Sequence, residues 1–171
     1  MFRSNRCQTR HAAGGFTLIE LMIVIAIIAI IASIAIPSLL SARKHGQEAS
    51  AIGSLRTINT QEVLFRDGDK EQDGNNDYGM LSELSNTGLI DGILGSGTKQ
   101  GYLFQAAYSV ATSEFLWFAV GNPALPGSTG DRYFEINTAG VIYYTTGKSL
   151  AMDTSTCTIP NVASSVIPIG K

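Results

Sequence analysis

Sixteen consecutive residues, Leu21 to Ile36, carry no charge, and the residue directly before them is a glutamate, Glu20. Phe16 to Ile19 extend the run on one side and Ser38-Leu39-Leu40 on the other, giving about 25 mostly apolar residues. At ~1.5 Å per residue that is roughly 35–38 Å of helix, enough to cross a bilayer. A carboxylate beside hydrocarbon is expensive, so an acid at this position is a functional hypothesis by default. For an isolated glutamate the plain alternative is a protonated acid, or one that snorkels to the interface. Ahead of the run lies a short basic leader with Arg3, Arg6 and Arg10, closed by the small pair Gly14-Gly15.

A secretory signal has a shorter apolar segment with its cleavage site after it. Ala32-Ser33-Ile34-Ala35 offers small residues, but the apolar run continues through Ile36. The better cut is before the run, at Gly15, which would keep the helix in the mature protein. The expected organisation is a cleaved leader at 1–15 and a transmembrane helix half at 16–40. An amphipathic helix half at 41–66 and a C-terminal globular domain at 67–171 follow.

Removal of residues 1–15, which hold three arginines and no acid, would leave 9 Lys/Arg against 14 Asp/Glu, a net −5. No basic cluster follows Arg43-Lys44, so nucleic acid is not expected as the main partner. Arg43-Lys44-His45 reads as a solvated or headgroup-facing stretch. Of the two cysteines, Cys7 lies in the leader and Cys157 near the C-terminus. Loss of the leader leaves a lone thiol and no intrachain disulfide. Cys157 reads as a small buried hydrophobe, with an intersubunit bond as the alternative.

Pro37 falls inside the helical pattern and predicts a kink or local unwinding near Ala32–Ile36, with Ser33 and Ser38 placed to satisfy freed carbonyls. Beyond it the pattern turns amphipathic. Ile52, Leu55 and Ile58 recur at three-residue spacing, Val63 and Phe65 follow, and Glu48, Arg56 and Glu62 are the polar punctuation. Gly46 and Gly53 weaken this half. A helix from about Phe16 to Phe65 would measure on the order of 75 Å. Residues 67–77 are a polar, turn-rich loop. A short helix is expected at Met80–Asn86 with Gly88 as its stop. The signal then becomes β: Tyr102, Phe104, Ala106, Tyr108 and Val110 alternate, and Phe115–Val120 is a buried-strand candidate. Tyr133–Ile136 and Val141–Tyr144 form a hairpin across Asn137-Thr138-Ala139-Gly140. The Pro- and Gly-containing stretch 122–130 is a loop, and the last twenty residues an irregular closing segment. The fold class is α+β: a long N-terminal helix packed on a small antiparallel sheet.

The segment from Gly15 through Phe16, Thr17, Leu18, Ile19 and Glu20 to Ile30 closely resembles the N-terminal methylation motif of type IV pilins and type II secretion pseudopilins. Cleavage glycine, Phe, acid and uninterrupted apolar run agree in register, over residues 14 to about 40. The resemblance implies the pilin fold and a prepilin peptidase that cuts after Gly15 and methylates the new amine of Phe16. Glu20 falls on the family's assembly acid and Pro37 on its helix-breaking proline. In a filament of identical subunits, Glu20 would meet the Phe16 amine of a neighbour. Opposite charges apposed in low dielectric offset part of the desolvation cost and set axial register. The implied partners are further copies of the chain, the prepilin peptidase, the assembly platform of a pilus or secretion machine, and inner-membrane lipids. The implied location is the bacterial inner membrane, single-pass with the C-terminal domain outside the cytoplasm, and then a pilus or periplasmic pseudopilus. Two departures are visible. The leader of 15 residues is longer than in many type IVa precursors, and the C-terminal disulfide loop of many adhesive pilins has no counterpart, since Cys157 stands alone.

In the loop, Asp69, Glu71, Asp73, Gly74, Asn75 and Asp77 fall near EF-hand positions one, three, five, six, seven and nine, while Met80 stands where the bidentate acid belongs. Oxygen ligands at alternate positions around a turn glycine suit Ca²⁺; the alternative is a solvated acidic turn. Major pseudopilins use calcium in a loop nearer the C-terminus, so no ligand transfers by resemblance.

No catalytic signature is present. Outside the leader the only histidine is His45, and no phosphate-binding glycine loop, Cys/His metal cluster or nucleophile elbow occurs. Tyr102, Tyr108, Trp117, Phe118, Tyr143 and Tyr144 read as sheet core at strand spacing, with a binding surface as the alternative. The leading expectation is therefore a filament subunit, pilin or pseudopilin. A monomeric membrane-anchored binding domain is the alternative, and a secreted enzyme behind a signal peptide is the weakest reading.

Overall fold

The computed structural model describes residues 15–70, 74–109, 113–147 and 167–169. The chain divides into two compact units, Met1–Leu39 and Leu40–Lys171. One helix, α1 (Leu18–Asp67), contributes to both. Its stretch from Leu18 to Leu39 is mostly apolar, with every large hydrophobic side chain exposed, and the helix contains a window of mean hydropathy 3.0 and is long and apolar enough to cross a membrane.

Helical geometry continues through Pro37, so the unwinding expected at residues 32–36 is not seen. Proline removes only its own N–H from the ladder, which frees the Ser33 carbonyl alone; the Ser33 hydroxyl binds back to the carbonyl of Ile30 at 2.7 Å, three residues earlier. α1 ends where Asp69 enters the left-handed region at φ 39°, a conformation that aspartate tolerates better than most residues. There the Lys70 N–H reaches the Phe65 carbonyl at 3.4 Å.

In the second unit α1 buries Glu48, Ala51, Leu55, Ile58, Glu62 and Phe65. These positions advance by three and four residues, one face of a 3.6-residue helix. Two corrections follow: Glu48 and Glu62 lie inside the buried stripe, and Val63 lies outside it, exposed. The helix expected at Met80–Asn86 is α2 (Leu81–Asn86), closed at Gly88 with φ +74°. A further turn, α3 (Gly92–Gly95), is capped by Asp91, whose side chain accepts the Leu94 N–H at 2.9 Å.

Among the described residues six strands follow: β1 (Thr98–Lys99), β2 (Tyr102–Tyr108), β3 (Trp117–Pro123), β4 (Arg132–Asn137), β5 (Ile142–Thr146) and β6 (Ile167–Pro168). They form one antiparallel sheet in sequence order. The expected β4–β5 hairpin is present, with Gly140 at φ +71° in its turn. β3 begins two residues later than expected, because Phe115 and Leu116 lie before it and are exposed, and it runs on into the anticipated loop as far as Pro123. Val110 and most of the closing segment lie outside the described residues.

Period-2 alternation turns Tyr102, Phe104, Trp117, Ala119, Phe134, Ile136 and Ile142 toward the α1 stripe, where they complete the core. Gly121 sits among them; a Cβ there would lie 3.1 Å from the Phe104 ring, so glycine lets that ring and Leu55 approach the strand. Phe118, Val120, Tyr133, Glu135 and Thr145, on the opposite face, are buried as well. Burial on both faces explains the apolar run Trp117–Val120 of β3. Tyr102, Trp117 and Phe118 are thus core residues, whereas Tyr108, Tyr143 and Tyr144 are half-buried.

Candidate functional site

Gly15, Phe16 and Thr17 precede the helix and are non-helical, and Phe16 is 94% exposed. The bond expected to be cut, Gly15–Phe16, therefore lies in accessible, irregular backbone. Thr17 then starts the helix through a reciprocal cap. Its N–H and its hydroxyl both donate to Glu20 Oε2, at 2.8 and 2.7 Å, and the Glu20 N–H returns to Thr17 Oγ1 at 3.3 Å. This is a Thr-x-x-Glu capping box, which satisfies backbone donors that no helical carbonyl can reach. The helix dipole also favours an acid in the first turn. Among the described residues both bonds from Thr17 fall on one oxygen of Glu20, which leaves Oε1 outside the cap. The signal for the box in the sequence is Thr17-Leu18-Ile19-Glu20 before an apolar run.

In the second unit, Glu48 is 2% exposed and makes the densest polar cluster of α1. Its Oε1 accepts the N–H groups of Asp131 (3.0 Å) and Arg132 (3.3 Å). Its Oε2 accepts Arg132 Nε (2.8 Å) and Nη2 (2.6 Å) in a bidentate fork. Burial alone would raise this carboxyl. The Arg132 hydrogen bonds, the Asp131 N–H and the guanidinium charge reverse that and hold it below the usual 4.5. Lys44 binds Asp131 at 2.7 Å on the rim. The Arg132 guanidinium also lies 5.8 Å from the Phe134 ring and 5.5 Å from the Tyr144 ring. This clamp fastens α1 to the start of β4. His45, the remaining histidine, is exposed and stands 3.8 Å from Glu48.

In the acidic loop, Asp69, Asn75 and Asp77 are described, while Glu71 and Asp73 lie outside the described residues. Asp69 Oδ2 accepts the Gly74 N–H at 3.3 Å. Among the described residues no three His, Cys, Asp or Glu side chains converge on a metal position. Cys7 and Cys157 lie outside the described residues.

A model of the prokaryotic N-terminal methylation motif matches residues 10–36. The type IV major pilin protein PilA of Myxococcus xanthus is 41% identical over 73 residues, which is 42% of this chain and 33% of that protein. The type IV wide pilus major component PilA4 of Thermus thermophilus is 35% identical over 108 residues, which is 63% of this chain and 80% of that protein. The chain belongs to the type IV pilin family. The matched stretch spans about a third of the Myxococcus pilin and four fifths of the Thermus one. No solved structure matches the chain. A pilin is a structural subunit and not an enzyme, and the helix followed by a six-stranded antiparallel sheet is a pilin-like architecture. The N-terminal apolar stretch of α1 in this pilin fits membrane anchoring.

Proposed function

We propose that this pilin is cleaved between Gly15 and Phe16, methylated on the Phe16 amine, and polymerised with identical copies into a type IV pilus. The observation that carries this reading is the capped acid at the head of a helix whose apolar first stretch exposes its large side chains. An apolar surface of this length has two uses, lipid contact before assembly and helix contact after it. The capping box fixes the Glu20 rotamer. One oxygen is held by Thr17, and the other is turned to the amine of a neighbouring Phe16. That pairing supplies axial register, because it replaces water lost by two charges at only one stagger of adjacent helices. Pro37, which lacks a backbone donor, marks where α1 yields most easily if the filament is stretched.

Two measurements test the reading. The mass of the mature chain is expected to equal residues 16–171 plus one methyl group. A Glu20→Ala variant is expected to be cleaved and inserted but to yield few or no filaments. A mature N-terminus beyond Ile36, or normal filaments from Glu20→Ala, would overturn it. The same filaments seen only within the periplasm, with loss of protein secretion on deletion, would instead place the subunit in a pseudopilus.

A further inference from the structure

The second unit holds a buried acid that the clamp and the assembly end do not use. Glu62 has 0% of its surface exposed. Its Oε2 accepts the N–H of Gly79 at 3.1 Å, and its Oε1 is buried without a hydrogen-bond partner among the described residues. The next N–H, that of Met80, is taken by Glu83 of α2. Two carboxyl groups, one from α1 and one from α2, thus receive successive backbone donors of one short segment. Gly79 is required for this approach: a Cβ there would lie 2.8 Å from Leu84 and 2.9 Å from the Phe65 ring. One turn further along α1, Arg66 donates to the Tyr78 hydroxyl at 2.8 Å and lies 5.1 Å from its ring. The Tyr78 ring in turn stands 5.8 Å from that of Trp117.

We propose that Glu62 is a proton-dependent latch that, as a neutral acid, fastens the segment Tyr78–Asn86 onto helix α1 and, once ionised, releases it. The charge arrangement supports the neutral form. On its own helix Arg66, four residues on, is committed to Asp67 (2.9 Å) and Tyr78. From α2, Glu83 faces it with a like charge, and the segment 78–80 contributes only Tyr78 as a titratable group. From the sheet, Trp117 closes the far side of Tyr78 with no charge. Burial therefore pushes the Glu62 carboxyl up to about 8; the Gly79 N–H pulls it down and the Glu83 charge pushes it further up. An ionised Glu62 would carry an unpaired charge in the core, and opening the segment to water is the local way to solvate it.

The test is amide hydrogen exchange on the full chain in detergent micelles, corrected for the intrinsic pH dependence of exchange. Opening lets Glu62 ionise at its ordinary value. Protection of residues 78–86 is therefore expected to fall about tenfold per pH unit from about pH 5 to about pH 8 and to level off above that. These amides are expected to exchange faster than those of β3, and the pH slope is expected to vanish in Glu62→Gln, which keeps the acceptor and removes the charge. Infrared spectroscopy of Glu135→Gln, which removes the other buried acid raised toward neutrality, provides a second readout that leaves Glu62 intact. A buried carboxylic acid band is expected to disappear near pH 8, where the exchange curve breaks. A flat wild-type profile, the same slope in Glu62→Gln, exchange of 78–86 only together with β3, or loss of the acid band in the ordinary carboxylate range would each overturn the proposal.

Discussion

Replacing Glu48 by leucine is expected to destabilise the second unit by roughly 2–4 kcal/mol. The substitution removes an acceptor that takes two backbone N–H groups and both arms of the Arg132 fork. Breaking one side of a buried ion pair costs ~3–5 kcal/mol. The Arg132 side chain is 35% exposed and recovers part of its hydration, which lowers that figure. The N–H groups of Asp131 and Arg132 recover less, at ~1–3 kcal/mol for each donor left unsatisfied. Trp117, the only tryptophan, is 2% exposed in the same unit, so its fluorescence reports unfolding in a denaturant titration of the full chain in micelles. Arg132→Met should be at least as damaging, because it leaves the carboxylate buried and unpaired. The double variant Glu48→Leu/Arg132→Met should recover to within about 1.5 kcal/mol of wild type, since an apolar pair of similar volume carries no unpaired charge. Single variants that each cost under about 1 kcal/mol, or costs that simply add in the double, would refute the clamp as the fastening of α1 to β4.

Three further outcomes are expected. Stability should peak on the acid side of neutrality, in a thermal or chemical melt followed against pH. The Glu48 contribution is present above its ordinary value of 4.5 and is lost as pH falls through its lower folded value. Glu62 and Glu135, pushed by burial to about 8 and about 7, act oppositely: each removes on the order of 1 kcal/mol per pH unit as pH rises from 4.5 to its folded value. Glu62→Gln and Glu135→Gln should each flatten the alkaline limb. Gly130→Ala should cost roughly 2–4 kcal/mol in the same assay, because the added Cβ collides with the Tyr102 hydroxyl and displaces its 3.0 Å bond to the Arg132 carbonyl. Thr17→Ala should cost the cap about 1 kcal/mol and Thr17→Ser only a fraction of that, read as increased exchange of the first-turn amides of α1.

Which parts of this pilin can be read from the chain follows from the range of the interactions involved. The membrane-length run, its acid and the basic stretch before it are local patterns: hydrophobicity, helix period and a cap within four residues are all determined by neighbours along the chain. The β4–β5 hairpin belongs to the same class, because alternation and a glycine turn specify it from within fifteen residues. The buried acids were not legible in this way. Glu48 and Glu62 occupy the same three-and-four spacing as Leu55 and Ile58, yet an acid in a helix normally marks its solvated side. Only the arrival of Arg132, 84 residues later, and of the Gly79 N–H makes their burial tolerable. The sequence alone determined that this chain carries a membrane-length apolar run headed by an acid, because bilayer length and the register of the acid are written in consecutive residues. The tertiary structure decided which charges the core accepts, because the free energy of a buried carboxyl depends on the donors that the fold brings to it.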